Sequence, residues 1–191
     1  SRPDASYAFP VYPRDIAVNA SGDIYVSACT SEVNGDHHIQ KRSSSGTVVL
    51  RWGTGGSGSG EFDGPGGIDL DPSGNVYVVD MGNHRIQKFD SNGIYLKEWG
   101  TEGTGNGQFY FRGKMSGIAV DGSGNVYVAD TGNNRIQKFT AEGDFVTKWG
   151  GHGTGDGNFF APSDIETDDS GNVYVVELDS GRIQKFTSEG V

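Results

Sequence analysis

Four stretches of this chain repeat one phrase, and that repetition limits the folds open to it more than any other property. GNVYVVDMGNHRIQKF (Gly74 to Phe89), GNVYVADTGNNRIQKF (Gly124 to Phe139) and GNVYVVELDSGRIQKF (Gly171 to Phe186) are near copies, and GDIYVSACTSEVNGDHHIQKR (Gly22 to Arg42) is a looser one. Aligned on Ile39, Ile86, Ile136 and Ile183, the copies recur at 47, 50 and 47 residues. At such periods one supersecondary unit stacks on the next to bury a shared core. Each unit alternates apolar and polar residues over short runs separated by Gly, Asn, Asp and Ser, the pattern of strands joined by tight turns. In the third copy, 118–121, 125–130, 135–140 and 145–149 read as strands a, b, c and d. Gly122 to Asn125, Thr131 to Asn134 and Ala141 to Gly143 are the turns between them, rich in residues that tolerate positive φ. Four antiparallel strands per unit follow.

The run from Gly-Ile-Ala-Val-Asp (117–121) through Gly-Asn-Val-Tyr-Val-Ala-Asp-Thr-Gly-Asn-Asn-Arg-Ile-Gln-Lys-Phe to Trp149-Gly150 resembles the NHL repeat. The resemblance covers residues 13 to 191 and implies an all-β fold, a β-propeller of NHL-type blades, in a family whose rings usually carry six. Four repeats are recognisable, at 13–53, 64–100, 114–150 and 161–191, after a lead-in segment at 1–12. The fourth copy stops at Ser188-Glu-Gly-Val191, where the others begin strand d. The expectation is part of a six-bladed ring in a longer chain, or a sheet completed by another chain as a homo-oligomer or filament through the open blade edge. A propeller is a scaffold for many functions, so the fold alone names none.

Bulk properties narrow the partners. The formal charge of −10 gives a long-range field that repels phosphate backbones and anionic surfaces. Nucleic acid and membrane insertion are not expected. The single cysteine, Cys29, rules out an internal disulfide framework and reads as a buried thiol at a strand end. Three Gly-rich stretches, Gly53 to Gly60, Gly100 to Gly107 and Gly150 to Gly157, lead into strands rather than helices. They read as connections between blades, not phosphate cradles.

Recurrence separates frame from function. Asp80 with Arg85, Asp130 with Arg135, and Glu177 with Arg182 flank the b–c turn in successive copies and read as structural ion pairs; Ala28 and His38 take those places in the first copy. Asp15, Asp69, Asp164 and Glu166 lie on the inner strands, where carboxylates could supply hard oxygen ligands. No cofactor is expected, calcium at these four being the one candidate. Propeller lyases that resemble this family take metal-binding histidines at the starts of inner strands. Arg14, Gly66, Ser116 and Ser163 stand there instead. The remaining histidines, His37, His38, His84 and His152, read as solvated surface. Asn19-Ala-Ser21 is a glycosylation sequon on the first a–b turn, relevant to a secreted chain.

Strand alternation puts every b–c turn and every d-to-a connection on one face. That face varies between copies, whereas the opposite face repeats near-identical turns. It carries a five-residue insertion within Thr30 to His38, with Glu32, Asp36, His37 and His38, then His84, and then Tyr110, Phe111 and Arg112 in the stretch Gln108 to Met115. Variable loops on a constant frame are where binding residues concentrate. The expected function is a non-enzymatic interaction or scaffolding module, extracellular or at the cell surface, binding protein or glycan through this face. The alternative is a metal-assisted lyase or hydrolase acting at the mouth of the central channel.

Overall fold

The computed structural model describes residues 12–29, 36–112 and 115–191. Its strands form four antiparallel sheets in chain order. Blade 1 is β1 (Tyr12–Val18), β2 (Ile24–Cys29), β3 (His38–Arg42) and β4 (Val48–Trp52); blade 2 is β5 (Pro65–Leu70), β6 (Val76–Asp80), β7 (Arg85–Phe89) and β8 (Tyr95–Trp99). Blade 3 is β9 (Ile118–Val120), β10 (Val126–Asp130), β11 (Arg135–Phe139) and β12 (Phe145–Gly150). Blade 4 has three strands, β13 (Pro162–Thr167), β14 (Val173–Glu177) and β15 (Arg182–Phe186). A 3-10 turn at Thr131–Asn133 is the one helical element among the described residues, and none of their helices could cross a membrane. The first strands of successive blades pack side by side, β1 on β5, β5 on β9 and β9 on β13. The blades form a propeller arc left open between β13 and β1.

Alternation along each strand gives every blade two apolar faces. The trailing face meets the next blade and the leading face meets the previous one. Tyr25 and Ile39 of blade 1 bury against Phe62, Ile68, Val76, Val78 and Phe89. Tyr77, Val79 and Ile86 of blade 2 meet Phe109, Ile118, Val126, Val128 and Phe139. Tyr127 and Ile136 of blade 3 meet Phe159, Ile165, Val173, Val175 and Phe186. The core therefore lies between the sheets, which is why neither face of an inner blade can be polar.

Polar residues fix the edges of these joints. In blades 2 to 4 the a–b turn closes on a carboxylate that also takes the tyrosine hydroxyl of its blade: Asp71 with Tyr77, Asp121 with Tyr127, and Asp168 with Tyr174, all at 3.0 Å; in blade 1 the Asn19 amide oxygen closes the turn. At the periphery the indoles of Trp52, Trp99 and Trp149 lie on the c–d turn glycine of the following blade, Gly93, Gly143 and Gly190. A Cβ built on Gly143 would stand 2.7 Å from the Trp99 ring, and φ is +79° there. Only glycine satisfies both conditions.

The repeated Asp-x-x-Asn-x-Arg-Ile-Gln phrase acts on the Gly-rich connections. In blade 3, Arg135 donates from Nε to Asp130 at 2.7 Å and from its other nitrogens to the carbonyls of Thr104, Gly105 and Gln108. Gln137 accepts from the Gly107 amide and donates to Gln108 O, while Asn133 donates to Gly103 O. Blade 2 repeats this with Arg85 on Asp80 at 2.8 Å and on Gly58 and Glu61, and blade 4 with Arg182 on Glu177 at 2.6 Å and on Thr154, Gly155 and Asn158. The connection that enters a blade is thus tied down by that blade's own b–c hairpin. In blade 1, Ala28 faces His38, and Gln40 accepts from Arg42 at 2.7 Å instead.

Three variants test these ties through stability. Arg135→Ala should destabilise by about 3–5 kcal/mol, because it leaves the buried Asp130 carboxylate without its cation and frees three carbonyls; urea unfolding followed by circular dichroism measures this. Gly143→Ala should cost about 1–3 kcal/mol. Gly122→Ala, where a Cβ meets nothing within 4 Å, should stay within about 0.5 kcal/mol of the wild type.

Candidate functional site on the loop face

The tied-down connections hold one backbone position constant while its side chain varies. The amide of Asp63 donates to Asp80 at 2.7 Å, that of Tyr110 to Asp130 at 2.8 Å, and that of Phe160 to Glu177 at 2.7 Å. With the main chain fixed, Tyr110 and Phe160 stand 40% and 39% exposed on neighbouring blades. The residue after each is held by the previous blade's b–c turn. Gly64 N lies 3.1 Å from His37 Nδ1, Phe111 N 3.2 Å from His84 Nδ1, and Ala161 N 2.9 Å from Asn134 Oδ1.

This changes the reading of three expected binding residues, His37, His38 and Phe111, the first two of which also read as solvated in the sequence. His37 and His38 are buried. The His37 ring sits against the next connection, its Nδ1 also 2.9 Å from Phe62 O, and His38 lies 3.2 Å from Asp36, which in turn contacts Arg51. Burial pushes the His38 pKa down, with Arg51 adding to the shift. Phe111 is buried as well, ring to ring with Phe109 at 5.0 Å, so it packs a joint rather than facing a ligand. His84 is half-buried at φ 53° and stacks on Tyr110 at 5.8 Å. Glu32 lies outside the described residues.

Arg112 and Tyr110 remain outward, and they adjoin a depression between blades 3 and 4. Its volume is about 390 Å³, and Arg112, Thr131, Asn134, His152, Phe160 and Asp179 contribute to its walls. His152 meets Phe160 edge to face at 5.4 Å. Gly132 in its wall donates to Tyr110 O at 2.8 Å, and any side chain there would strike the Tyr110 ring. The site joins two aromatic rings, a guanidinium, an imidazole and a carboxylate. Phe160 and Asn134 were not singled out in the sequence. Aligning the connections on Phe62, Phe109 and Phe159 exposes Phe160 as the counterpart of Tyr110.

The inner-strand carboxylates have a different setting. Asp15 accepts the Ile68 amide of blade 2 at 2.9 Å, and Asp69 accepts the Val120 amide of blade 3 at 2.7 Å. Each therefore links one inner strand to the next. Asp164 accepts Ile165 N at 3.0 Å, close against Gly117, where a Cβ would meet its Oδ1 at 2.5 Å. Burial raises Asp69 from 3.8 to about 6. Burial, then the charges of Asp69, Asp164 and Asp15, raises Glu166 from 4.5 to about 7. Among the described residues no three His, Cys, Asp or Glu side chains are grouped to hold a metal ion. A cavity of about 30 Å³ at the channel mouth is bordered by Arg14, Asp15, Ser116, Ser163 and Asp164.

The Asp69 shift has a checkable sign. Its folded-state pKa is raised, so the folded state holds its proton more tightly, and stability from this group is lost as pH rises from 3.8 through about 6. Asp69→Asn, which keeps an acceptor for Val120, should therefore gain on the wild type between about pH 4 and about pH 7 in urea unfolding. A difference that is flat with pH would contradict the shift.

The NHL repeat model matches residues 62–89 and 116–139. No curated protein sequence matches the chain. Among solved structures it overlays on a protein from Bacteroides caccae with 14% identity and a TM-score of 0.65, covering 96% of this chain and 66% of that one. It overlays on streptogramin B lyase with 14% identity and a TM-score of 0.59, covering 95% and 56%. It also overlays on the calcium-binding protein regucalcin from Agrobacterium tumefaciens with 15% identity and a TM-score of 0.64, covering 91% and 60%. The chain thus spans two thirds or less of the length of these structures, and at such identities the likeness is one of fold. Both repeat matches fall on blades 2 and 3, and similar phrases recur in blades 1 and 4: the chain carries NHL repeats in a β-propeller fold.

Proposed function

We propose that this propeller is a non-enzymatic interaction module that takes a protein or glycan partner on the loop face, centred on the depression between blades 3 and 4. The observation that carries this is the pair Tyr110 and Phe160. Equivalent positions on adjacent blades present exposed rings, Phe160 in the wall of a recess with Arg112, His152 and Asp179, and Tyr110 against Gly132 at its edge. Rigid aromatics and arginine at a recess are the groups that concentrate binding energy, because they bury large areas at little cost in side-chain freedom. Their frame is pre-organised by the hydrogen bonds to Asp130 and Glu177, which lowers the ordering cost of association.

A second reading has one observation in its favour. Glu166 keeps a proton near neutrality among Asp69, Asp164 and Asp15, the condition of a general acid, and the fold is shared with streptogramin B lyase. A lyase or hydrolase site would then lie at the channel mouth.

Screening the protein against a glycan array and a displayed peptide library should yield binders. Tyr110→Ala, Phe160→Ala and Arg112→Ala should each weaken them by about tenfold or more, with the unfolding midpoint unchanged. Ser73→Ala and Ser170→Ala, on the opposite face, should leave binding intact. Retained binding in all three loop-face variants would overturn the site. Lyase or hydrolase turnover that is lost in Glu166→Gln with an unchanged unfolding midpoint would favour the second reading.

A further inference from the structure

The recess between blades 3 and 4 stands apart in what its polar groups hold. Arg14, Arg42, Arg51, Arg85, Arg135 and Arg182 all donate to acceptors within the protein. Among the described residues Arg112 is the one arginine without such an acceptor, although Asp179, likewise unpaired there, borders the same recess. The main chain is the reverse case, because its amides are already spent. Tyr110 N donates to Asp130, Phe111 N to His84, Gly132 N to Tyr110 O, Phe160 N to Glu177 and Ala161 N to Asn134. Asn134 thus uses its side-chain oxygen and keeps its side-chain amide hydrogens.

We infer, resting on the loop-face site proposed above, that its ligand is a carboxylate-bearing sugar, a uronate residue of an acidic glycan. Spent amides exclude strand addition, in which an extended peptide pairs with backbone, and a recess of about 390 Å³ does not take a helix. Recognition therefore falls on rings and side chains. The face of an aromatic ring carries negative charge density, which suits the C–H side of a pyranose. Phe160, held edge to face by His152, supplies such a ring. A guanidinium only donates and a carboxylate only accepts, so Arg112 and Asp179, unpaired with each other, call for a ligand with an anion and hydroxyl groups together. A uronate has both. Its carboxylate takes the Arg112 fork in two parallel hydrogen bonds, and its hydroxyls donate to Asp179 and accept from Asn134. The formal charge of −10 opposes an anion at long range, but at physiological ionic strength that field is screened beyond about 8 Å. The contact with Arg112 acts well inside that length.

Calorimetric titration with trimers of galacturonate and of glucuronate, each beside the trimer of its neutral hexose, tests this chemistry. The uronate trimers should bind about tenfold or more tightly than the neutral ones, and added salt should narrow the gap. Arg112→Gln, at an exposed residue that ties down no part of the frame, should leave the melting midpoint unchanged and bring acidic and neutral trimers to equal affinity. Arg112→Lys should restore part of the gap. Phe160→Ala should weaken both kinds alike. Uronate trimers that bind no better than neutral ones, or a preference that survives Arg112→Gln, would overturn the inference. A neutral glycan or proline-rich peptide bound in their place and lost in Phe160→Ala would overturn it too, while leaving the loop-face site standing. Binders indifferent to Tyr110→Ala, Phe160→Ala and Arg112→Ala would remove both.

Discussion

The guanidinium of the b–c hairpin is the contact on which the rest of the molecule depends. A blade has no way to tell where its neighbour should sit unless the connection between them has a defined course. Glycine-rich backbone has no preferred course of its own. Arg85, Arg135 and Arg182 impose one by converting backbone carbonyls into ligands, while a buried carboxylate at the end of strand b holds each guanidinium in place. Once the course is set, Phe62, Phe109 and Phe159 fall into the gaps between sheets. The apolar faces then close on them. Removing the cation would cost more than one ion pair, because it also frees the chain segment that positions the next core.

Period and phrase made the blades legible in the sequence. Strands a to d of the third copy were expected at 118–121, 125–130, 135–140 and 145–149 and lie at Ile118–Val120, Val126–Asp130, Arg135–Phe139 and Phe145–Gly150. The agreement is close because alternation and turn glycines are local signals. What the sequence did not disclose is non-local. His37 and His84 look like loop histidines, yet they are held by amides of the following connection, a partner 27 residues away. Phe111 looks like one of three consecutive loop side chains, but its ring lies on Phe109. Identity and spacing along the chain carry no record of which side of a tied-down loop a ring will face.

The inner carboxylates show the same limit from the other side. As a set of acids near an axis they suggest cation binding. In the structure, two of the four spend an oxygen on an amide of the next blade, so their role in the frame comes first. Burial raises the proton affinity of all four, and neighbouring carboxylate charges add to it at Asp69, Asp164 and Glu166.

Because the amide before each exposed ring is fixed by a carboxylate of the blade beneath it, the side chain there is free to change without disturbing the main chain. Asp63, Tyr110 and Phe160 already show three different groups on one geometry. Such a position behaves as a socket: its side chain can be exchanged one residue at a time, and a blade transplanted into another propeller would carry its exposed group with it.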